Sequence, residues 1–215
     1  MATLRKEIKN ALIEDDLDRI AALAPGNKRV FGAIMALTYD KENVIAWRAI
    51  EAMGRAVAAV ATDDPGTARD IVRRLLWSVT EESGSIGWSA PEMLAEVVVR
   101  SPGQFSDLPP IILSLHDEPP FLPGVLWAMG RFAEAGLSLP REARLVITEA
   151  LGDASAGVRG MALWAATRAR FSGMDDRLAA MTADRGHFRL YENRTLENVV
   201  IGDLAGQVCQ DLQAK

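Results

Sequence analysis

The chain holds one cysteine, Cys209, and two histidines, His116 and His187, in 215 residues. An intrachain disulfide is therefore impossible, and such sparing use of thiols fits a reducing compartment. There is no Cys-x-x-Cys pair and no cluster of histidines, hence no zinc signature. No Gly-x-Ser-x-Gly elbow is present, so no serine nucleophile can be assigned by motif. Cys209 reads as a buried small apolar residue of the last helix, and both histidines read as turn residues. Glu81, Glu82 and Glu92 offer oxygen to a hard cation, but nothing in their spacing fixes a coordination geometry. The sequence thus implies no metal, no cofactor and no catalytic residue, and it leans away from an enzyme.

Positive charge is also in short supply. Lys and Arg total 24 against 29 Asp and Glu, for a net charge of −5 and a pI near 5.2. An overall basic footprint for nucleic acid is missing. No stretch approaches 18 uninterrupted apolar residues, so no membrane span is expected. The opening residues, Met1 to Lys9, are charged and lack an apolar signal core. A cytoplasmic location is the resulting expectation. Aromatic residues make up only 6% of the chain, yet five of them are tryptophan.

What is present is a helical motif that returns four times. It reads Trp-Arg-Ala-Ile-Glu-Ala-Met-Gly-Arg at 47–55 and Trp-Ser-Ala-Pro-Glu-Met-Leu-Ala-Glu at 88–96. It returns as Gly-Val-Leu-Trp-Ala-Met-Gly-Arg at 124–131 and Met-Ala-Leu-Trp-Ala-Ala-Thr-Arg at 161–168. Aligned on Gly54, Ala95, Gly130 and Thr167, the copies lie 41, 35 and 37 residues apart. A helical period of roughly 35–45 residues is the signature of stacked helix pairs.

Apolar steps of three and four residues predict helices between the copies as well. These cover 3–24 with a break near Asp15, then 28–40, 44–61, 66–80, 88–100, 105–116, 121–135, 140–151 and 155–171. Pro25-Gly26-Asn27, Asp64-Pro65-Gly66 and Ser101-Pro102-Gly103 punctuate them. Beyond Ser172-Gly173 the pattern changes to a short helix at 174–182 and two β-rich runs, Phe188 to Tyr191 and Leu196 to Ile201. The runs predict a hairpin, followed by a helix from Gly202 to Leu212. The expected fold is all-α, about four helix pairs, with a helical cap at 1–27, repeats at 28–171 and a hairpin-plus-helix cap at 172–215. Terminal caps of this kind shield the open ends of a stack.

The repeated motif resembles HEAT repeats, and more closely the short variant of phycobilin-lyase-like HEAT proteins. That family places an acidic residue about fourteen positions before the small one, where this chain has Asp40, Glu81, Asp117 and Asp153. The family's Val-Arg after the turn is matched by Val158-Arg159. The other copies depart, with Ile45 after Val44 and Gly87 after Ile86. The resemblance spans roughly 28–171 and implies a HEAT-type α-α superhelix. The stretch from Leu76 through Trp77, Glu81, Glu82, Ser83 and Trp88 to Glu92 is also similar to a recurring segment of bacterial HEAT proteins without an assigned role. Fold alone does not fix chemistry.

In such a stack the second helix of each pair lines the inner face. Two rows can be read across the copies: Glu51, Glu92, Trp127, Trp164, and, four residues on, Arg55, Glu96, Arg131, Arg168. Residues four apart share a helix face, and Trp and Arg dominate binding hot spots. The expected groove has Trp127, Trp164, Arg131 and Arg168 at one end and carboxylates nearer the middle. The same residues also suit packing between repeats, with the charges pairing along each helix. A second candidate is the loop 81–87, where Glu81, Glu82 and Ser83 lie between Trp77 and Trp88. Its amides could meet an anion, but the two glutamates oppose one and no lysine follows, so it is no phosphate loop.

The function expected from these features is non-catalytic binding of a protein partner through the inner face and the 81–87 loop. The alternative is a lyase-like or cofactor-handling protein that takes an anionic small molecule, such as a tetrapyrrole, into the same groove. Nucleic-acid recognition of the HEAT-like glycosylase kind needs a basic face, which Glu51, Glu92 and Glu96 interrupt.

Overall fold

Each copy of the repeated motif becomes one helix of a central row. The computed structural model describes residues 2–80 and 88–213. The four copies fall on α4 (Val44–Asp63), α6 (Ala90–Arg100), α8 (Leu122–Glu134) and α10 (Ala156–Ala169), with Trp88 and Ser89 of the second copy in the turn before α6. In this row α4 packs on α6, α6 on α8 and α8 on α10. Around it lie α1 (Ala2–Ile13), α2 (Leu17–Ala22), α3 (Arg29–Met35), α5 (Pro65–Thr80), α7 (Leu108–Leu113) and α9 (Ala143–Ala150). The C-terminal part holds α11 (Asp175–Ala180), strands β1 (His187–Glu192) and β2 (Thr195–Val200), and α12 (Ile201–Gln213). The described residues thus form twelve α-helices and one antiparallel two-stranded hairpin. None of these helices is long and apolar enough to cross a membrane.

Local chemistry sets the boundaries. Asn43 accepts the Ile45 N–H at 3.0 Å and Asp64 accepts the Thr67 N–H at 2.9 Å, which caps α4 and α5. Pro91 and Pro123 fall in the first turns of α6 and α8, where the missing N–H costs nothing. Three expected helices are markedly shorter than their apolar spacing suggests, one of them 140–151, which is helical only over Ala143–Ala150. The 28–40 helix ends at Met35, and residues up to Tyr39 form turns. The 105–116 helix starts only at Leu108, with Pro109 and Pro110 in its first turn, and tightens into a 3-10 turn at Ser114–Asp117. Cys209 is half-buried in α12 rather than fully enclosed.

The central row is close-packed because its small residues face neighbouring helices. A Cβ at Gly54 would lie 2.6 Å from the backbone carbonyl of Glu96. One at Gly130 would overlap the Trp164 ring. Buried apolar residues from Ile8 to Ala205 form one continuous cluster.

The hairpin is the feature that positions the site. Its two-residue turn, Asn193-Arg194, has both φ angles positive, at 49° and 61°. That is the geometry whose twist suits a tight hairpin. Six residue pairs run from His187–Val200 to Glu192–Thr195. The expected strands are thus present with shifted ends: β1 is longer by one residue at each end, and β2 starts one residue earlier and gives up Ile201 to α12. β1 packs on α10, where Phe188 lies against Gly160, and β2 reaches α4. Arg194 at the tip pairs with Asp15 at 3.3 Å, and its carbonyl accepts from Arg48 at 3.5 Å. Arg189 pairs with Glu42 at 3.4 Å. The hairpin therefore spans the central row, from its last helix back to the α1–α2 corner.

Candidate functional site

An aromatic string runs beneath the hairpin. Tyr191 stacks on Trp47, with centroids 5.6 Å apart and planes within 12°. Trp47 meets Trp127 at 5.3 Å, and Trp127 lies nearly parallel to Trp164 at 6.5 Å. Edge and offset contacts of this range are the favoured ones for aromatic pairs. Trp127 and Trp164 are each 1% exposed. The expectation of two open indoles lining a groove is corrected here, because the chain's own hairpin lies over them. The packing between repeats that also suited these residues describes their burial. The physical cause is plain: an uncovered row of indoles would leave a large apolar face in water.

Above this string the charges form an alternating ladder. Glu51 receives Arg55, Arg100 and Arg194 at 3.0, 3.0 and 3.7 Å. Glu96 receives Arg131 at 2.7 Å and Arg100 at 4.0 Å. Glu134 pairs with Arg131 and Arg168, and Arg168 closes on Glu192 of the hairpin. The Trp164 Nε1–H donates to that same carboxylate at 3.1 Å. Arg131 and Arg168 also lie over the Trp127 and Trp164 rings, at 5.7 and 5.5 Å. The i,i+4 spacing seen in the sequence, Trp127 to Arg131 and Trp164 to Arg168, creates these cation–π contacts.

Burial tunes the groups. Glu96 is 1% exposed, and this burial holds its pKa above the ordinary carboxylate value even though Arg131 pulls the other way. Burial alone would lower the Arg131 pKa, but the Glu96 carboxylate outweighs it and keeps the guanidinium charged. Tyr191 is pushed well above the usual phenol value, first by burial and then by Glu51. Its hydroxyl therefore stays protonated and donates to Glu51 Oε2 at 3.1 Å. Tyr191→Phe is expected to cost about 1–2 kcal/mol, because a buried carboxylate loses a donor. A urea midpoint unchanged from wild type would contradict this.

Of the residues singled out in the sequence, Trp127, Arg131, Trp164 and Arg168 do come together. Glu92 does not join them. It is buried beside the 40–43 turn, where Lys41 Nζ reaches Oε1 at 2.9 Å, and a Cβ at Gly124 would meet its carboxylate. Trp77 and Trp88 lie apart from the covered wall and are 65% and 56% exposed. The Trp88 carbonyl accepts from Lys41, and Ser89 donates to the Thr38 carbonyl at 2.9 Å, which ties the start of α6 to the 38–41 segment. Glu81, Glu82 and Ser83 lie outside the described residues.

Of the acidic turn residues, Asp153 bonds the Ser155 N–H at 2.7 Å, and Arg159 donates to the Asp153 carbonyl while pairing with Asp184. Among the described residues no group of three or more His, Cys, Asp or Glu is placed to hold a metal ion.

Sequence reasoning missed Trp47 as the centre of the aromatic string, along with Tyr191, Glu192 and Arg194. Trp47 had a signal, since it opens the first copy of the motif. The hairpin residues had none, because their partners are 24 to 179 positions away. No protein-family model matches the chain, and no curated protein matches it.

Proposed function

We propose that this protein is a non-catalytic binding module of the HEAT type, and that it docks a protein partner through the rim bearing Trp77 and Trp88. The observation that carries the reading is the division of the five tryptophans. Trp47, Trp127 and Trp164 are buried, whereas Trp77 and Trp88 are 65% and 56% exposed on either side of residues 81–87. Exposed large aromatics in a chain with few of them mark interaction surfaces. Each indole that a partner covers contributes roughly 2–3 kcal/mol from its area alone. The packing order α4, α6, α8, α10 with outer helices beside it supports the HEAT-type stack. The single cysteine is in keeping with a cytoplasmic setting.

The inner face enters this reading in a reduced role, since the hairpin already lies on it. The rival, an anionic molecule of tetrapyrrole type held by Arg131 and Arg168, has no comparable support: both guanidiniums are paired with Glu96, Glu134 and Glu192.

The test is a pull-down from native lysate with wild type and with the Trp77→Ala, Trp88→Ala double variant. The partner retained by wild type is expected to be lost, with binding weakened about 30-fold or more. A circular dichroism spectrum matching wild type shows that the double variant keeps its fold. Equal retention by a folded double variant would remove the rim from consideration.

A further inference from the structure

The hairpin is fastened tightly at its base and loosely at its tip. At the base, the Ile201 N–H donates to the Gly186 carbonyl at 3.0 Å and the Gly202 N–H to the Asp184 carbonyl at 2.9 Å. Arg159 grips Asp184 at 2.8 Å, and the Phe188 ring fills the space beside Gly160. In mid-strand, Tyr191 donates to Glu51 and Trp164 to Glu192, both at 3.1 Å, with Arg168 also on Glu192. The polar contacts from the tip to the helices are longer. Arg194 reaches the Asp15 carboxylate at 3.3 Å, the Asp15 carbonyl at 3.4 Å and Glu51 at 3.7 Å. Arg48 reaches the Arg194 carbonyl and the Asp15 carboxylate at 3.5 Å each. Beneath the tip lies a partly open cavity of about 270 Å³, bordered by Asn193 and Arg194. The tip therefore rests on charge pairs rather than on packed apolar side chains. No residue of β2 is fully buried.

Backbone strain falls on the same corner. Asp15 and Arg194, which pair with each other, have φ angles of 58° and 61°. Glycine is the usual residue at the second position of such a turn, so an arginine there carries a conformational cost. What the position gains is the guanidinium. We infer that the hairpin is a strap, hinged at its base and latched at its tip by Arg194, and that release of the latch lifts the tip and uncovers the indole row. Glu51 keeps Arg55 and Arg100 when Arg194 leaves, so the charge ladder on the helices survives opening. The Arg194 and Asp15 side chains are 36% and 33% exposed, so dissolved salt reaches and weakens the latch. This strap is independent of docking at the Trp77 and Trp88 rim.

The experiment is residue-resolved hydrogen–deuterium exchange on the full chain. Arg194→Gly suits the turn better, so a tip that only turns the chain predicts slower exchange in the hairpin. The latch predicts the reverse: exchange of the 188–199 amides rises about threefold or more, while α4, α6 and α8 keep their wild-type rates. Wild type should move the same way between about 0.01 M and about 1 M salt. In a Trp77→Phe, Trp88→Phe background only Trp47, Trp127 and Trp164 fluoresce, and acrylamide should quench them more strongly once Arg194→Gly is added. If Arg194→Gly does not fold, Asp15→Asn, which tolerates a positive φ, decides by the same criteria. Hairpin exchange that is unchanged or slower, exchange that rises equally in the central helices, a wild type indifferent to salt, or unchanged quenching each overturns the latch.

Discussion

Gly54→Val is expected to destabilise the protein by at least about 3 kcal/mol and to lower its melting temperature by roughly 10 °C. Intrinsic preference runs the other way, since glycine inside a helix is about 1 kcal/mol worse than alanine. The steric term decides the sign. A Cβ at Gly54 would sit 2.6 Å from the carbonyl carbon and oxygen of Glu96. Those atoms belong to the backbone of α6, which cannot swing aside as a flexible side chain can. The whole helix must shift, and α8 and its Trp127 must shift with it. Gly32 in α3 provides the control, because it is exposed and nothing lies within 4 Å of the corresponding Cβ. Gly32→Ala should raise stability by about 0.5–1 kcal/mol. Thermal melts of the two variants should therefore move in opposite directions. A Gly54→Val protein that melts with wild type would mean that α4 and α6 are not in close contact.

Arg131→Ala is expected to cost about 3–5 kcal/mol at pH 7, among the largest effects of any charge removal in this chain. The loss comes chiefly from Glu96, which is buried and left with only the distant Arg100 at 4.0 Å. The pH dependence separates this cause from lost packing against Trp127. Glu96 already has a pKa raised above the ordinary value in the folded protein, and removing Arg131 raises it further. A raised folded pKa means that the native state takes up the proton first as pH falls. Stability contributed this way is present at and below the unfolded value, near 4.3, and is lost as pH climbs through the folded value. The penalty of Arg131→Ala should therefore shrink between pH 7 and pH 5. Adding Glu96→Gln should restore much of the loss at pH 7. Urea unfolding of the single and double variants at both pH values measures each point. A penalty independent of pH and untouched by Glu96→Gln would assign the loss to packing.

The parts of this molecule that could be read from the sequence are those set by local spacing. The four copies of the motif carry a small residue at the same place, and Gly54 and Gly130 are small because another helix lies against them. The pairs Glu51–Arg55 and Trp127–Arg131 follow from a four-residue step on one helix. The hairpin was legible as a hairpin, since β-rich runs flank a polar turn.

Its destination was not legible. Tyr191 finds Trp47 and Glu51 some 140 residues away, and nothing in Phe188 to Tyr191 names that partner. For the same reason sequence alone could not sort the tryptophans. Trp127 and Trp164 follow the same pattern whether they face water or a strand. Glu92 occupies the repeat position of Trp127 yet goes elsewhere, because Lys41 and the space at Gly124 accommodate its carboxylate. Charge pairs within a helix could be foreseen, whereas the pairs that join helices depend on the lateral order of the row.

The clasp formed by residues 187–200 also governs how the chain comes off the ribosome. Helices α4 to α10 can assemble as soon as each emerges, because each meets the one made just before it. Trp47, Trp127 and Trp164 must nevertheless wait for a cover synthesised after all of them. Until then the nascent protein carries a wet row of indoles along its spine. The interval of greatest exposure to wrong partners lasts until residues 187–200 have emerged and folded back over the row.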